Sequence, residues 1–309
     1  VKPLSSARPL VVTVTMGYGH LRPAHALADF LGTGMLEADR PPVAAEDEAR
    51  QWARSRGIYE TATRWQSLPL VGGPLRRLVE RYTHIPPLHP YRDQSEPTVG
   101  VRALDRLVRR SLGHHLVEML KESGRPLLTT FFAPAMAADA AGVPDIFCVV
   151  TDSDINRIWA PPDPSRSSIT YLAPSMRVLR RLRAYGVPRE RIYTTGYPLP
   201  HGLLGGEELS TLRRNFAARL VRLDPGHAFR DSYPDEVRTF LGGLPDSEEG
   251  RPPLLTFAVG GAGAQAELVK RFLPGLRDDL EGGRIRLALV AGIRPEVRDR
   301  FRTVVSRLR

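Results

Sequence analysis

The residues best suited to chemistry lie where short apolar runs end in glycine or in an acid. Val11-Val12-Thr13-Val14-Thr15-Met16 leads into Gly17-Tyr18-Gly19-His20-Leu21-Arg22-Pro23-Ala24. Glycines after a buried strand let the backbone turn tightly, and Pro23 and Ala24 read as the start of a helix. A helix start offers free N–H groups to an anion. His20, in the loop before it, is suited to acid–base work near neutral pH. A second run, Phe147-Cys148-Val149-Val150-Thr151, ends in Asp152. At the carboxyl end of a buried strand, Asp152 falls on the edge where open α/β sheets bind ligands. There a carboxylate could orient His20 or take a hydroxyl proton itself; a plain loop or cap aspartate is the bland alternative. A third run, Leu254–Val259, opens into Gly260-Gly261-Ala262-Gly263-Ala264-Gln265. Glycine there would let the backbone approach a diphosphate, and the helix that follows would favour its charge.

Other chemistries fit less well. Asp152-Ser153-Asp154 has a spacing that can hold a hard divalent cation, but no metal is expected here. His114 and His115 are neighbours on a helix and point to different faces, so they make poor joint ligands. No Gly-x-Ser-x-Gly nucleophile turn occurs.

The elements that must carry these residues follow from periodicity. Strands are expected at Leu10–Met16, Leu127–Phe132, Ile146–Thr151, Ile169–Ala173, Ile192–Thr195, Leu254–Val259 and Arg286–Ala291. Helices are expected at Pro23–Leu31, Ala103–Glu122, Ala135–Ala141, Met176–Tyr185, Ala264–Leu273 and Glu296–Leu308. Apolar strands alternating with helices predict an α/β fold with Rossmann-like doubly wound parallel sheets. Two stretches break the alternation. Residues 40–100 are rich in proline and aromatics and read as a functional insertion. Residues 198–253 read as a connection between a first domain, 1–197, and the start of a second, 254–309.

Composition is that of an ordinary globular protein, with 42% apolar and 25% charged residues in 309. No apolar run approaches the roughly 20 residues that span a bilayer. The lone Cys148 reads as a buried structural thiol and points to the cytoplasm. The net charge of +10 comes from 44 Lys and Arg against 34 Asp and Glu. Arginines gather at 102, 106, 109 and 110 and again at 177, 180, 181 and 183, without the interleaved aromatics of single-strand binders. An anionic membrane surface is therefore the expected basic-patch partner, rather than nucleic acid.

Four segments together resemble the GT-B glycosyltransferases, nearest to the galactolipid synthases, the processive diacylglycerol glucosyltransferases and the transferase that adds N-acetylglucosamine to the peptidoglycan lipid precursor. They are Gly17-x-Gly19-His20-x-x-Pro23-x-x-x-Leu27; Gly142-Val143-Pro144 through Thr151-Asp152 to Trp159; Gly186-Val187 through Arg191-Ile192 to Thr195-Gly196-Tyr197-Pro198; and the loop Gly260–Gln265. The resemblance covers about residues 10–31 and 127–309.

It implies two Rossmann-like domains. The first would bind the acceptor and the second a nucleotide-diphosphate sugar, with no cofactor and no required metal. It implies His20 and Asp152 as catalytic residues, and Gly17, Gly19, Gly260, Gly261, Gly263, Ala264 and Gln265 around the donor phosphates. Tyr18 and Trp159 fall on the acceptor side, and a lipid hydroxyl is an expected acceptor at the cytoplasmic membrane face. The family's base-and-ribose clamp has no counterpart before Arg309, which implies a truncated second domain and weak donor binding by these residues alone. Nucleotide-sugar 2-epimerases share the architecture, and a non-catalytic sugar- or lipid-binding scaffold is the third reading.

Overall fold

The structure, a computed structural model, describes residues 7–66, 85–245, 252–260 and 265–307, apart from the side chains of 56 and 58–66. The chain divides into two compact units, Val1–Pro198 and Leu199–Arg309.

The first unit is built on a six-stranded, all-parallel sheet. Its strands are β1 (Leu10–Thr13), β2 (Met35–Glu37), β3 (Leu127–Thr129), β4 (Ile146–Val149), β5 (Thr170–Ala173) and β6 (Ile192–Thr194). They lie in the order β2-β1-β3-β4-β5-β6. The chain steps from β1 to β2 on one side, then crosses back to place β3 on the other side of β1. Loops leaving β1 and β3 therefore diverge, and this is the switch point at which doubly wound sheets open a ligand crevice.

The sheet is covered on both faces, unevenly. Val11, Leu128 and Val149 pack with Ala24 and Ala28 of α1 (Tyr18–Leu31). Their strand neighbours Leu10, Val12, Leu127, Ile146, Cys148 and Val150 point the other way, as strand alternation requires, into the larger core. That core is closed by α2 (Glu46–Gln66), α3 (Val99–Arg110), α4 (His114–Ser123), α5 (Phe132–Ala140) and α6 (Met176–Ala184).

Three local differences from the sequence reading have physical causes. First, α1 begins at Tyr18, so Gly19 and His20 are helical and Pro23 lies inside the helix rather than at its start. Only Gly17 makes the turn, at φ 133, a value costly for a side chain with a Cβ. Second, the long helix expected over Ala103–Glu122 is two helices, α3 and α4. Gly113 breaks them at φ 84, where a Cβ would lie 2.6 Å from the Ala137 Cβ. The buried Glu48 carboxylate accepts the Gly113 N–H at 2.5 Å, replacing the lost helical bond. Third, β2 carries only Met35, Leu36 and Glu37, all half-buried, and gives too short an apolar run to be seen in advance.

In the second unit, β7 (Leu254–Ala258) and β8 (Arg286–Val290) form a separate parallel pair. Phe257, Val269, Leu273, Val297 and Phe301 make its core, with α9 (Pro295–Ser306) among the packing elements. The segment read as a connection holds α7 (Ser210–Leu223) and α8 (Pro234–Leu241), which pack on each other. After β7 the expected single helix is a series of short turns, Ala266–Leu268, Val269–Phe272, Leu273–Leu276 and Arg277–Glu281. Pro274, one residue past the expected helix, lacks the N–H that would carry the Val269–Phe272 turn onward.

Candidate active site

His20 sits in the first turn of α1, above the carboxyl ends of β1, β3 and β4. Thr130, directly after β3, holds it at two points. The Thr130 hydroxyl lies 3.0 Å from the His20 carbonyl, to which it donates. One hydroxyl has one proton, so the 2.8 Å contact between Thr130 Oγ1 and Thr13 Oγ1 is donated by Thr13. The Thr130 carbonyl lies 3.1 Å from His20 Nδ1. A carbonyl can only accept, so Nδ1 carries the ring proton. Thr151 Oγ1, after β4, lies 2.7 Å from the same nitrogen and shares that proton as a second acceptor. Nε2 is left with the lone pair.

Aromatic rings form the wall around the imidazole. Phe131 meets it edge-on at 4.9 Å, Trp159 lies 6.4 Å away, and Phe132 packs on Phe131 at 4.1 Å. Burial among these groups is the main cause that pushes the His20 pKa below its ordinary value. The Asp152 charge and the Thr130 bond pull it back only in part. His20 is therefore neutral at neutral pH and able to accept a proton at Nε2.

Asp152 follows Thr151 at the end of β4. The residue is exposed as a whole, but its carboxylate is partly withdrawn from water, which raises its pKa despite the His20 charge and the Trp159 hydrogen bond. Asp152 thus couples to His20 through charge, while the threonines orient the ring. The loop beneath Asp152 is firmly held. Tyr171 donates its phenol to the Trp159 carbonyl at 2.8 Å. The buried Arg157 guanidinium reaches the carbonyls of Ser95, Ala160 and Pro161 at 2.7, 2.6 and 3.0 Å.

Other expected residues fall as follows. Tyr18 is half-exposed at 51%, and nothing lies within 4 Å of where a Gly19 Cβ would stand, so the backbone there is open to approach. Trp159, expected on the acceptor side, is only 3% exposed; it supports Asp152 from below instead of presenting its ring. Asp154 is bound by Arg177 at 2.8 Å and by the buried Arg181 at 2.9 Å. Burial raises its pKa, but the two arginine bonds outweigh this and hold it below the ordinary carboxylate value. Both its oxygens serve that ion-pair cluster. His114 and His115 are separated as expected, to Glu118 at 3.2 Å and Glu48 at 2.8 Å. Thr130, Thr151 and the adjacent aromatics Phe131 and Phe132 were given no role from sequence, although an aromatic pair at a strand's carboxyl end was a visible signal.

In the second unit Gly260 is exposed after β7, and Gln265 stands at φ 66 ahead of the next turn. Gly261, Gly263 and Ala264 lie outside the described residues. Within the 40–100 insertion, Trp52 is buried in the main core. The Trp65 side chain, Leu68, Leu70, Val71, Leu75, Arg76 and Arg77 lie outside the described residues. Arg181 is committed to Asp154, whereas Arg106, Arg110, Arg180 and Arg183 are exposed. Among the described residues no helix is long and apolar enough to cross a membrane.

No protein-family model and no curated protein matches the chain.

Proposed function

We propose that this protein is a nucleotide-sugar glycosyltransferase in which His20 is the general base. The observation that supports it most is the pair of acceptors on His20 Nδ1, the Thr130 carbonyl and Thr151 hydroxyl, at 3.1 and 2.7 Å. They fix the proton on one nitrogen and leave the other to receive one. In this reading the acceptor oxygen attacks the anomeric carbon, its proton passes to Nε2, and the nucleoside diphosphate departs. Asp152, carrying its charge beside the ring, stabilises the imidazolium as it forms. The open backbone at Gly19 and the half-exposed Tyr18 would border the acceptor. The glycine-rich sequence Gly260–Gln265 would meet the donor diphosphate. No metal is called for, since the departing charge can be met by helix-start N–H groups and arginine. A lipid hydroxyl is the acceptor class we favour, with exposed Arg106, Arg110, Arg180 and Arg183 facing anionic head groups.

The test is transfer by the whole natural polypeptide, supplied with labelled uridine-diphosphate hexoses and vesicles of diacylglycerol in anionic lipid. Label should pass to the lipid fraction, and His20→Ala should cut that transfer by about 10²-fold or more. Sugar altered without any acceptor would make the protein an epimerase. Binding of sugar or lipid with no product would make it a scaffold.

A further inference from the structure

Pro23 lies four residues after Gly19 within α1. In an unbroken helix the amide of residue 23 would bond the Gly19 carbonyl, but proline has no N–H and its ring crowds that oxygen. The Tyr197 hydroxyl takes the amide's place, donating to the Gly19 carbonyl at 3.1 Å. Residues 19 and 197 are 178 positions apart, so the bond brings the segment after β6 onto the turn that carries His20. At the other end of this turn, the amides of His20 and Leu21 both bond the Gly17 carbonyl at 3.2 Å. The turn is thus pinned by Gly17 below, Thr130 beside and Tyr197 above. Burial first and the Asp152 charge second push the Tyr197 pKa up, against the pull of Arg22. The phenol keeps its proton, and remains a donor, across neutral pH.

We propose that Tyr197 is a positioning residue of the His20 site, holding the first turn of α1 through the carbonyl to which Pro23 has no N–H to donate. The proposal rests on His20 being the proton-accepting group, and it assigns Tyr197 no contact with reacting atoms. Tyr197→Phe removes only the hydroxyl, while Pro23→Ala restores an amide able to reach Gly19. Comparing each with the double variant isolates the interaction.

Two readouts need no substrate: hydrogen exchange of the His20 and Leu21 amides, and the titration of the His20 imidazole by NMR. Tyr197→Phe should speed that exchange about fivefold to tenfold, the scale of one lost hydrogen bond. It should also move the His20 titration upward as water gains access. In the Pro23→Ala background the same substitution should change neither. An unchanged turn in Tyr197→Phe would overturn the proposal, because water would then serve the carbonyl equally well. Equal effects of Tyr197→Phe in both backgrounds would also overturn it, because the hydroxyl would then act elsewhere. If the cycle behaves as stated while no sugar is transferred, the transferase reading fails and the positioning role stands.

Discussion

Thr151 Oγ1 lies 2.7 Å from Nδ1 of His20, a residue 131 positions earlier in the chain. Together with the Thr130 carbonyl on the same nitrogen, which can only accept and so fixes the proton there, this contact leaves Nε2 as the proton-accepting atom. It also explains why the sheet order matters. Only with β3 and β4 following β1 to one side do residues 130 and 151 both reach the start of α1.

The His20 pKa should lie below the ordinary histidine value of 6.5. Asp152→Asn should lower it further, because the Asp152 charge raises it. Phe131→Ala should move it up toward 6.5 by admitting water, since burial is the main cause of the depression. Imidazole NMR titrations of the three proteins check this. A wild-type value at or above 6.5 would remove the low-dielectric account of the site.

The Glu48–His115 pair should give the fold a pH-dependent brace. The His115 pKa is raised, chiefly by its hydrogen bond to Glu48. A base with a raised folded pKa contributes stability that is complete below 6.5 and is lost as pH rises through the folded value. Denaturant midpoints should therefore fall more steeply in the wild type than in His115→Gln as pH rises above 6.5. Glu48→Ala should cost more at every pH, about 1–3 kcal/mol, because it also strips the partner from the Gly113 N–H. Identical pH slopes for wild type and His115→Gln would show that the pair contributes nothing.

Gly113 and Gly19 should respond oppositely to alanine. Gly113→Ala forces a Cβ into Ala137 at a left-handed backbone position and should destabilise by about 1–3 kcal/mol. Gly19→Ala meets open space in a helical turn and should stabilise by up to about 1 kcal/mol. If substrate approaches the bare backbone at Gly19, that same substitution should slow transfer. Thermal melts and initial rates on both variants separate the effects. A stable, fully active Gly19→Ala protein would move the acceptor away from this turn.

Much of the first unit was legible because buried parallel strands write themselves as apolar runs. β1, β3, β4, β5 and β6 all lie within the stretches expected, and His20 and Asp152 both fall at the carboxyl edge. What stayed hidden depended on long-range contacts or on local rules overridden by packing. The leucines of α3 and α4 keep helical spacing straight across the break, so only the left-handed Gly113, relieved by Glu48, reveals two helices. Pro23 reads as a helix start, yet Gly17 turns the chain early enough to place it in the interior. Thr130 and Thr151 look like ordinary strand-end residues until the sheet carries them to a histidine more than a hundred positions away. Trp159 was visible as an aromatic near Asp152, but its burial comes from packing against Phe131 and Phe132 in the main core, far away in sequence.

The most direct test of the central claim is the pH dependence of kcat/KM for sugar transfer, measured for wild type, His20→Gln and His20→Ala in the whole natural polypeptide. The account predicts a loss of about 10²-fold or more in both variants, the usual scale for a lost acid–base group. It also predicts that the wild-type acid limb, set by a group titrating below 6.5, disappears with the imidazole. Near-wild-type turnover in a folded His20→Ala protein, with the acid limb intact, would contradict it.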